Sequence, residues 1–155
     1  MLPIGFIQTE FSTLENMPVQ PGGADNAVGR ITINPEYQDG LIDLDGFSHI
    51  HLIYEFHLSD GYNLIVRPFL DDREHGVFAT RAPRRPNPIG MSIVRLLSVR
   101  HNLIEVSGAD LVNGTPILDV KPYMKQFDKI EDSSSGWLAV SEEEIRKKKS
   151  DQRFK

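Results

Sequence analysis

The chain has 155 residues, of which 39% are hydrophobic and 25% charged, with a net charge of −5 and no cysteine. This length favours one domain with its own hydrophobic core, and the lack of cysteine excludes disulfide bonds and thiolate metal sites. The first residues carry no basic leader and no segment reaches membrane-spanning length. We therefore expect a soluble, cytoplasmic protein that does not contact membranes.

The first third of the chain predicts two strands and a short helix. The two predicted strands, residues 4–9 and 29–33, are short runs with β-branched side chains, a composition that favours extended structure. Apolar side chains at helical spacing predict a short helix over residues 36–44.

The stretch between these two strands is predicted to be a long loop. Residues 10–28 lack periodicity, and loops of this length inside a compact domain are often functional. The turn at Pro21, Gly22 and Gly23 permits close approach of the backbone to a ligand, because glycine has no side chain to obstruct it. By itself this pattern indicates only a turn.

The clearest strand in the sequence covers residues 47–58. Alternating side chains give it one largely apolar face, formed by Ile50, Leu52, Tyr54 and Phe56. The opposite face is mixed and carries His49, His51, Ile53, Glu55 and His57. We expect the apolar face to point into the core.

The mixed face of this strand raises the question of a metal site. The spacing His49-x-His51-xxx-Glu55 resembles the first metal motif of cupin barrels, and these side chains suit zinc, iron or manganese. A cupin needs another ligating histidine on a later strand, whereas His75 and His101 fall in a predicted loop and a predicted turn. We expect no metal, and a metal-binding cupin-like enzyme remains a distant alternative.

A basic, proline-rich loop follows at residues 76–92. Its three prolines fix the backbone and make a stiff, non-helical segment. Either the loop holds its three arginines against a ligand, or it is a surface crossover with solvated arginines. Residues 67–100 have a net charge of +4 and residues 1–66 a net charge of −8, so a polyanion would bind near this loop.

The second half of the chain predicts further short strands separated by turns. The predicted strands are residues 64–67, 76–79, 91–99, 103–107 and 117–120. The turn before the last of them contains Asn113-Gly114, a strong turn signal. There is no βαβ alternation and no GxGxxG motif, which disfavours a Rossmann-type enzyme. We predict a mainly β fold, a single-sheeted antiparallel β-barrel with one or two short helices.

The predicted barrel domain spans residues 1–140, and residues 141–155 are predicted to form a short C-terminal helix with a frayed tail. Ser141 and Glu144 have the spacing of a capping box. Acidic side chains come first in this segment and lysines last, as the helix dipole favours.

Two long motifs in this chain resemble a known family. The motifs are GVFATRAPRRPNPIGMSIVRL (residues 76–96) and ADLVNGTPILDVKPY (residues 109–123). Their residues, order and spacing resemble the TsaA/YaeB-like (TrmO-type) family of S-adenosylmethionine-dependent tRNA methyltransferases. The resemblance implies methyl transfer to N6 of threonylcarbamoyladenosine at position 37 beside the anticodon, and a homodimer. A module that binds S-adenosylmethionine or a nucleotide without catalysis is the alternative.

The resemblance also implies a set of cofactor-binding residues, with Asn113 standing where many relatives carry an aspartate. The set comprises Gly22, Gly23, His57, Leu58, Arg81, Met91, Asp110, Leu111, Val112 and Asn113. In this set the guanidinium of Arg81 suits an anionic group of the cofactor. Asp110 and Asn113 suit the ribose hydroxyls or the adenine edge.

Other polar residues are candidates for catalysis and RNA binding. The acceptor nitrogen is weakly nucleophilic, so a base or polarising group should help, and Asp119 and Tyr123 are the predicted catalytic residues. A structural acid paired with an arginine is an equally open interpretation of Asp119. We expect Arg84, Arg85 and Lys121 to contact tRNA phosphates.

Overall fold

The strands of this protein form one closed barrel and one small separate sheet. The computed structural model describes residues 1–13, 15, 17 and 27–151. Its strands are β1 (Gly5–Gln8), β2 (Val28–Ile33), β3 (His49–Glu55), β4 (Ile65–Val66), β5 (His75–Gly76), β6 (Ile89–Arg100), β7 (Leu103–Ser107) and β8 (Pro116–Pro122). Within these residues, six antiparallel strands close a barrel in the order β1-β2-β7-β6-β3-β8, and β4 pairs with β5. The predicted antiparallel barrel is confirmed.

The helices are short and lie between strands or near the C-terminus. The chain has 3-10 helices at Pro35–Leu41, Leu44–Gly46 and Val77–Ala79, and the α-helices α1 (Lys125–Asp128) and α2 (Glu142–Lys147). The first two replace the single helix predicted over residues 36–44. The capping box at the start of α2 is confirmed, because Ser141 Oγ accepts from the Glu144 amide and the Glu144 carboxylate accepts from the Ser141 amide.

The short strand predicted over residues 76–79 is wrong beyond Gly76. The chain forms one 3-10 turn there, since the amide and the hydroxyl of Thr80 both donate to the carbonyl of Val77. These hydrogen bonds satisfy the Val77 carbonyl locally, while the Val77 amide still donates to the Leu64 carbonyl at 2.9 Å. The chain therefore leaves the small sheet after Val77 and turns into the wall of a cavity.

The barrel interior is filled by alternate residues of its strands. On β3 the side chains of Ile50 and Leu52 are fully buried and Tyr54 is nearly so, which confirms the predicted inward face. They join Ile7, Ile31, Ile33, Val94, Ile104, Val106 and Ile117 in one apolar cluster. Full burial of one such side chain stabilises the fold by about 1.5–3 kcal/mol, so this layer holds the barrel closed.

The segment after α1 folds back over the open end of the barrel. The indole Nε1 of Trp137 donates to the Ala79 carbonyl at 2.8 Å, and its ring stacks on His75 at 4.4 Å between centroids. Farther along, the Ser150 amide donates to the Met17 carbonyl at 2.7 Å, and Ser150 Oγ accepts from the Met17 amide. No helix in the described part of the chain has the length and apolar character needed to cross a bilayer.

Candidate functional site

A cavity of about 990 Å³ opens at the end of the barrel where β3 finishes and β6 begins. Its wall combines the chain after β3, the loop of residues 78–85, the first residues of β6 and the turn before β8. The C-terminal segment adds Trp137, Leu138 and Ile145 to the lining. Segments that are far apart in the sequence therefore meet around one space.

The basic loop is a fixed part of this wall. Nη1 of Arg85 donates to the carbonyl oxygens of Val77, Thr80 and Ala82 at 3.2, 2.9 and 3.4 Å. Three residues later, the Pro88 carbonyl accepts a 2.7 Å hydrogen bond from the Phe56 amide, which connects the loop to the end of β3. The rigidity that the prolines predict is thus supplemented by hydrogen bonds from an arginine.

A chain of hydrogen bonds runs along the cavity floor. Ser92 Oγ donates to Asp110 Oδ1 at 2.9 Å, and the Tyr54 hydroxyl lies 3.2 Å from Ser92 Oγ. Because the single Ser92 proton is given to Asp110, Tyr54 donates to Ser92. Gly90 makes room for this arrangement, since a Cβ atom there would lie 2.5 Å from Cζ of Tyr54.

The same network perturbs the ionisation of its two acidic groups. Desolvation raises the pKa of Asp110 to about 6, against the opposing effects of the Ser92 hydrogen bond and the Arg81 charge. Burial, with a smaller contribution from the Asp110 charge, raises the pKa of Tyr54 far above its usual range. Near neutral pH, Asp110 is therefore an acceptor whose charged form gains from a hydrogen-bond donor or a cation in the cavity.

Most of the residues predicted to bind the cofactor meet in this cavity. The members that line it are His57, Leu58, Arg81, Met91, Asp110, Leu111 and Val112. Asn113 is absent from the lining, and its Oδ1 accepts a 3.1 Å hydrogen bond from the Thr9 amide. Gly22 and Gly23 lie outside the described residues.

The predicted catalytic residues lie on β8 and just after it, outside the cavity lining. Asp119 pairs with Ile53 of β3, and its carboxylate forms a 2.8 Å ion pair with Nζ of Lys121. The ring of Tyr123 lies 5.7 Å from that of His51 between centroids. Asp119 thus has an ionic partner, which is lysine and not the arginine considered from the sequence.

The remaining predicted RNA contacts differ in their surroundings. Arg85 lines the cavity, with one of its nitrogens committed to the three carbonyls of the loop. Arg84 carries a buried Nε atom that has no hydrogen-bond partner in the described part of the chain.

Several residues of the site escaped the sequence analysis. The sequence pattern places Tyr54 on the apolar face of β3 and predicts no role for Ser92, Phe78 or Trp137. Ser92 had a detectable signal, because strand alternation places this polar residue among the inward-facing positions of β6. The other three became recognisable only when the cavity brought them together.

The histidines of β3 are engaged with other side chains. Nε2 of His51 lies 3.3 Å from Oδ2 of Asp128, and Nδ1 of His49 lies 2.9 Å from Ser48 Oγ. In the part of the chain that is described, no group of three or more His, Asp or Glu residues has the arrangement needed to hold a metal ion.

Comparison with known proteins relates both the fold and the sequence to a family. Residues 6–129 match the tRNA-methyltransferase O N-terminal domain. A Pyrococcus abyssi protein named "Probable S-adenosyl-L-methionine-binding protein" is 43% identical over 152 residues, which cover 98% of this chain and 83% of that protein. The human tRNA (adenine(37)-N6)-methyltransferase is 35% identical over 135 residues, 81% of this chain and 30% of that protein.

A solved structure shares the same architecture. The crystal structure of TrmO from Pseudomonas aeruginosa superposes with a TM-score of 0.74 at 36% sequence identity. The match covers 88% of this chain and 60% of the TrmO chain, so this chain spans less than two thirds of that protein. With the family match over most of its length, the chain belongs to the tRNA-methyltransferase O N-terminal domain family.

Proposed function

We propose that this protein is a tRNA methyltransferase that transfers a methyl group from S-adenosylmethionine to N6 of threonylcarbamoyladenosine at position 37. The observation that carries the proposal is the meeting of three separate segments, Leu58, Arg81 and the Asp110 turn, in one cavity. The printed names of the relatives support both the cofactor and the reaction class.

The residues of the cavity suit this cofactor. Its amino-acid part is a zwitterion and its nucleoside part carries hydroxyls and a purine edge. The Arg81 guanidinium would hold an anionic group, and Asp110 would accept from hydroxyl or amine donors. The side chains of Leu111 and Val112 line the cavity and provide an apolar surface for the purine.

The chain's contribution to the reaction is positioning and exclusion of water. The bound cofactor supplies a methyl group on a sulfonium, which a nucleophile attacks in line. Phe56, Phe69 and Trp137 give the cavity aromatic walls that would displace water from the reacting groups. The acceptor N6 gains the methyl group and loses a proton, for which Asp119 and Tyr123 remain the proposed acceptor and polarising group.

A homodimer would bring Asp119 and Tyr123 to a cavity that they do not reach within one chain. The outer face of β6 carries an exposed apolar row, formed by Ile89, Met91, Ile93 and Leu97. Ile53 of β3 lies beside Met91 in this face, and Asp119 of β8 lies beside Ile53. A second copy covering the row would place the subunit boundary at the cavity mouth, since Ile89 and Met91 also line the cavity.

The proposal is tested by binding and by turnover. Trp137 is the chain's one tryptophan and lines the cavity, so titration with S-adenosylhomocysteine should change its fluorescence, and calorimetry should give the same affinity. Methyl incorporation should occur into tRNA that carries threonylcarbamoyladenosine and not into the unmodified transcript. Absence of incorporation into both RNAs by a protein that binds the cofactor would favour the non-catalytic module.

The dimer has its own test. Ile93→Lys places a charge in the apolar row and should give a monomer in light scattering, with folding retained because the side chain is partly exposed and lies outside the cavity lining. Loss of methyl transfer on dissociation supports catalysis across the boundary. A wild-type monomer with full activity contradicts it.

A further inference from the structure

The aromatic ring of Phe78 stands on the wall of the cavity and is open to solvent. The residue is 74% exposed, more than Leu58, Ile89 or Met91, which also line the cavity and are exposed apolar residues. Among the described residues it is the one exposed Phe, Tyr or Trp in the lining. An aromatic surface held open to water in a binding cavity is a candidate site for a planar ligand.

The backbone that carries this ring is held from two sides. On one side Arg85 donates to the carbonyls of Val77, the first residue of the 3-10 turn, and Thr80, the residue after it. On the other side Trp137 donates to the carbonyl of Ala79. The ring therefore projects from a fixed turn, and little conformational entropy remains to be lost when a ligand binds.

The charge beside the ring favours a nucleobase attached to RNA. The guanidinium carbon of Arg85 lies 5.9 Å from the centroid of the Phe78 ring, so a π-surface and a cation lie next to each other. Bases of single-stranded RNA loops bind proteins by stacking on aromatic rings beside cationic groups.

The depth of the cavity separates two purine positions. Leu111 and Val112 are buried at 2% and 7% exposure, whereas Phe78 lies at the open rim. A small cofactor can reach the buried part, but a base that belongs to a large RNA reaches the rim. The volume of about 990 Å³ is at the upper end of the range of about 300–1,000 Å³ for small-ligand pockets, which leaves room for both.

We propose that Phe78 is the stacking platform for the acceptor adenine base of the RNA substrate. This inference rests on the proposed function and adds the residue that fixes the plane of the acceptor base. Stacking leaves the hydrogen-bonding edge of the base available, so N6 remains free for the reaction while the ring holds the base.

The test compares substitutions that keep or remove the aromatic face. Phe78→Leu should raise KM for the modified tRNA by about 5- to 150-fold, the range expected for loss of one base–aromatic stack, with cofactor affinity unchanged in calorimetry. Phe78→Trp should restore KM. The matched control is Phe127→Leu, because Phe127 is 78% exposed and does not line the cavity.

The outcomes separate this inference from the proposed function. If wild-type protein shows no methyl transfer, the proposed function fails. The platform is then tested alone with an anticodon stem-loop that carries 2-aminopurine beside the anticodon. Quenching by wild-type protein that is lost in Phe78→Leu supports the platform, and equal quenching overturns it. In an active enzyme, an unchanged KM in Phe78→Leu overturns it. So does a loss confined to cofactor affinity, which would assign the ring to the cofactor's adenine.

Discussion

The hydroxyl of Ser92 donates a 2.9 Å hydrogen bond to Oδ1 of Asp110 and so joins β6 to the turn that leads into β8. Ser92 is only 3% exposed, and it also accepts from the buried Tyr54. One hydroxyl thus links three segments at the cavity floor, so a change there should affect stability and ligand binding together.

Replacement of Ser92 by alanine should destabilise the fold and weaken cofactor binding. Ser92→Ala leaves the Tyr54 hydroxyl without its acceptor, and we expect a loss of about 1–3 kcal/mol in the free energy of unfolding. It should also raise the pKa of Asp110 further, because the Ser92 hydrogen bond lowers it. Urea denaturation and calorimetry measure the two effects.

A matched control for this variant lies on the same strand. Ser98 Oγ also donates to a carboxylate, that of Glu105, at 3.0 Å and away from the cavity. Ser98→Ala should leave cofactor affinity at the wild-type value. Equal losses of affinity in both variants would show that the Ser92 bond has no particular connection with the site.

The raised pKa of Asp110 predicts a specific pH dependence. The ordinary value is 3.8 and the folded value about 6, so between these pH values the folded state binds more protons than the unfolded state. Stability contributed by this group is therefore present below pH 3.8 and is lost as pH rises through 6. This pKa shift of Asp110 corresponds to a change of at most about 3 kcal/mol in the free energy of unfolding.

The measurement is chemical denaturation of wild-type protein and Asp110→Asn at several pH values from 4 to 8. The variant should gain stability relative to wild type as pH rises, because it has no carboxylate to charge in the partly buried position. Cofactor affinity of wild type should rise over the same interval if Asp110 binds a donor, and that of the variant should not. Parallel stability curves for the two proteins would contradict the assignment.

A methyl group at position 90 should disturb the cavity floor. In Gly90→Ala the new Cβ would meet the Tyr54 ring and lie 2.9 Å from Cζ of Phe56. We expect a cost of about 1–3 kcal/mol from overpacking, together with loss of the Tyr54–Ser92 hydrogen bond. Thermal unfolding measures the loss of stability.

Gly76→Ala is the control, because its added Cβ meets no heavy atom within 4 Å and its φ is −60°. Similar melting temperatures for the two variants would refute the packing argument.

The arginines of the basic loop should differ in what they bind. Arg84→Ala should lower the salt slope of tRNA binding by about one unit and leave cofactor affinity unchanged, and Arg81→Ala should do the reverse. Arg85→Ala should lower the slope and also loosen the loop, since Nη1 of Arg85 holds three carbonyls. Titrations of tRNA and cofactor across salt concentrations measure the salt slope and the cofactor affinity.

Arg100→Ala, at the far end of β6, serves as the control. A wild-type salt slope in Arg84→Ala would show that Arg84 does not contact a tRNA phosphate, and Lys147 and its neighbours would be the next candidates.

Local patterns in the sequence determined the elements that depend on near neighbours. The alternation along β3 identified its inward face, and the turn at Asn113-Gly114 is present with Gly114 at a φ of 83°. The capping box at Ser141 is likewise present. Each of these features involves residues a few positions apart, where spacing alone fixes geometry.

Only the tertiary structure decided which side chains meet in the cavity. Asp110 and Ser92 are 18 residues apart, Tyr54 and Ser92 are 38 apart, and Trp137 reaches a carbonyl 58 residues away. Most of the cofactor-binding residues implied by the family resemblance line the cavity, whereas Asp119, a catalytic candidate, lies outside the lining on β8. A sequence pattern states which face of a strand a residue occupies. Strand order, register and closure determine what lies opposite that face, because these contacts arise only when distant segments are packed together.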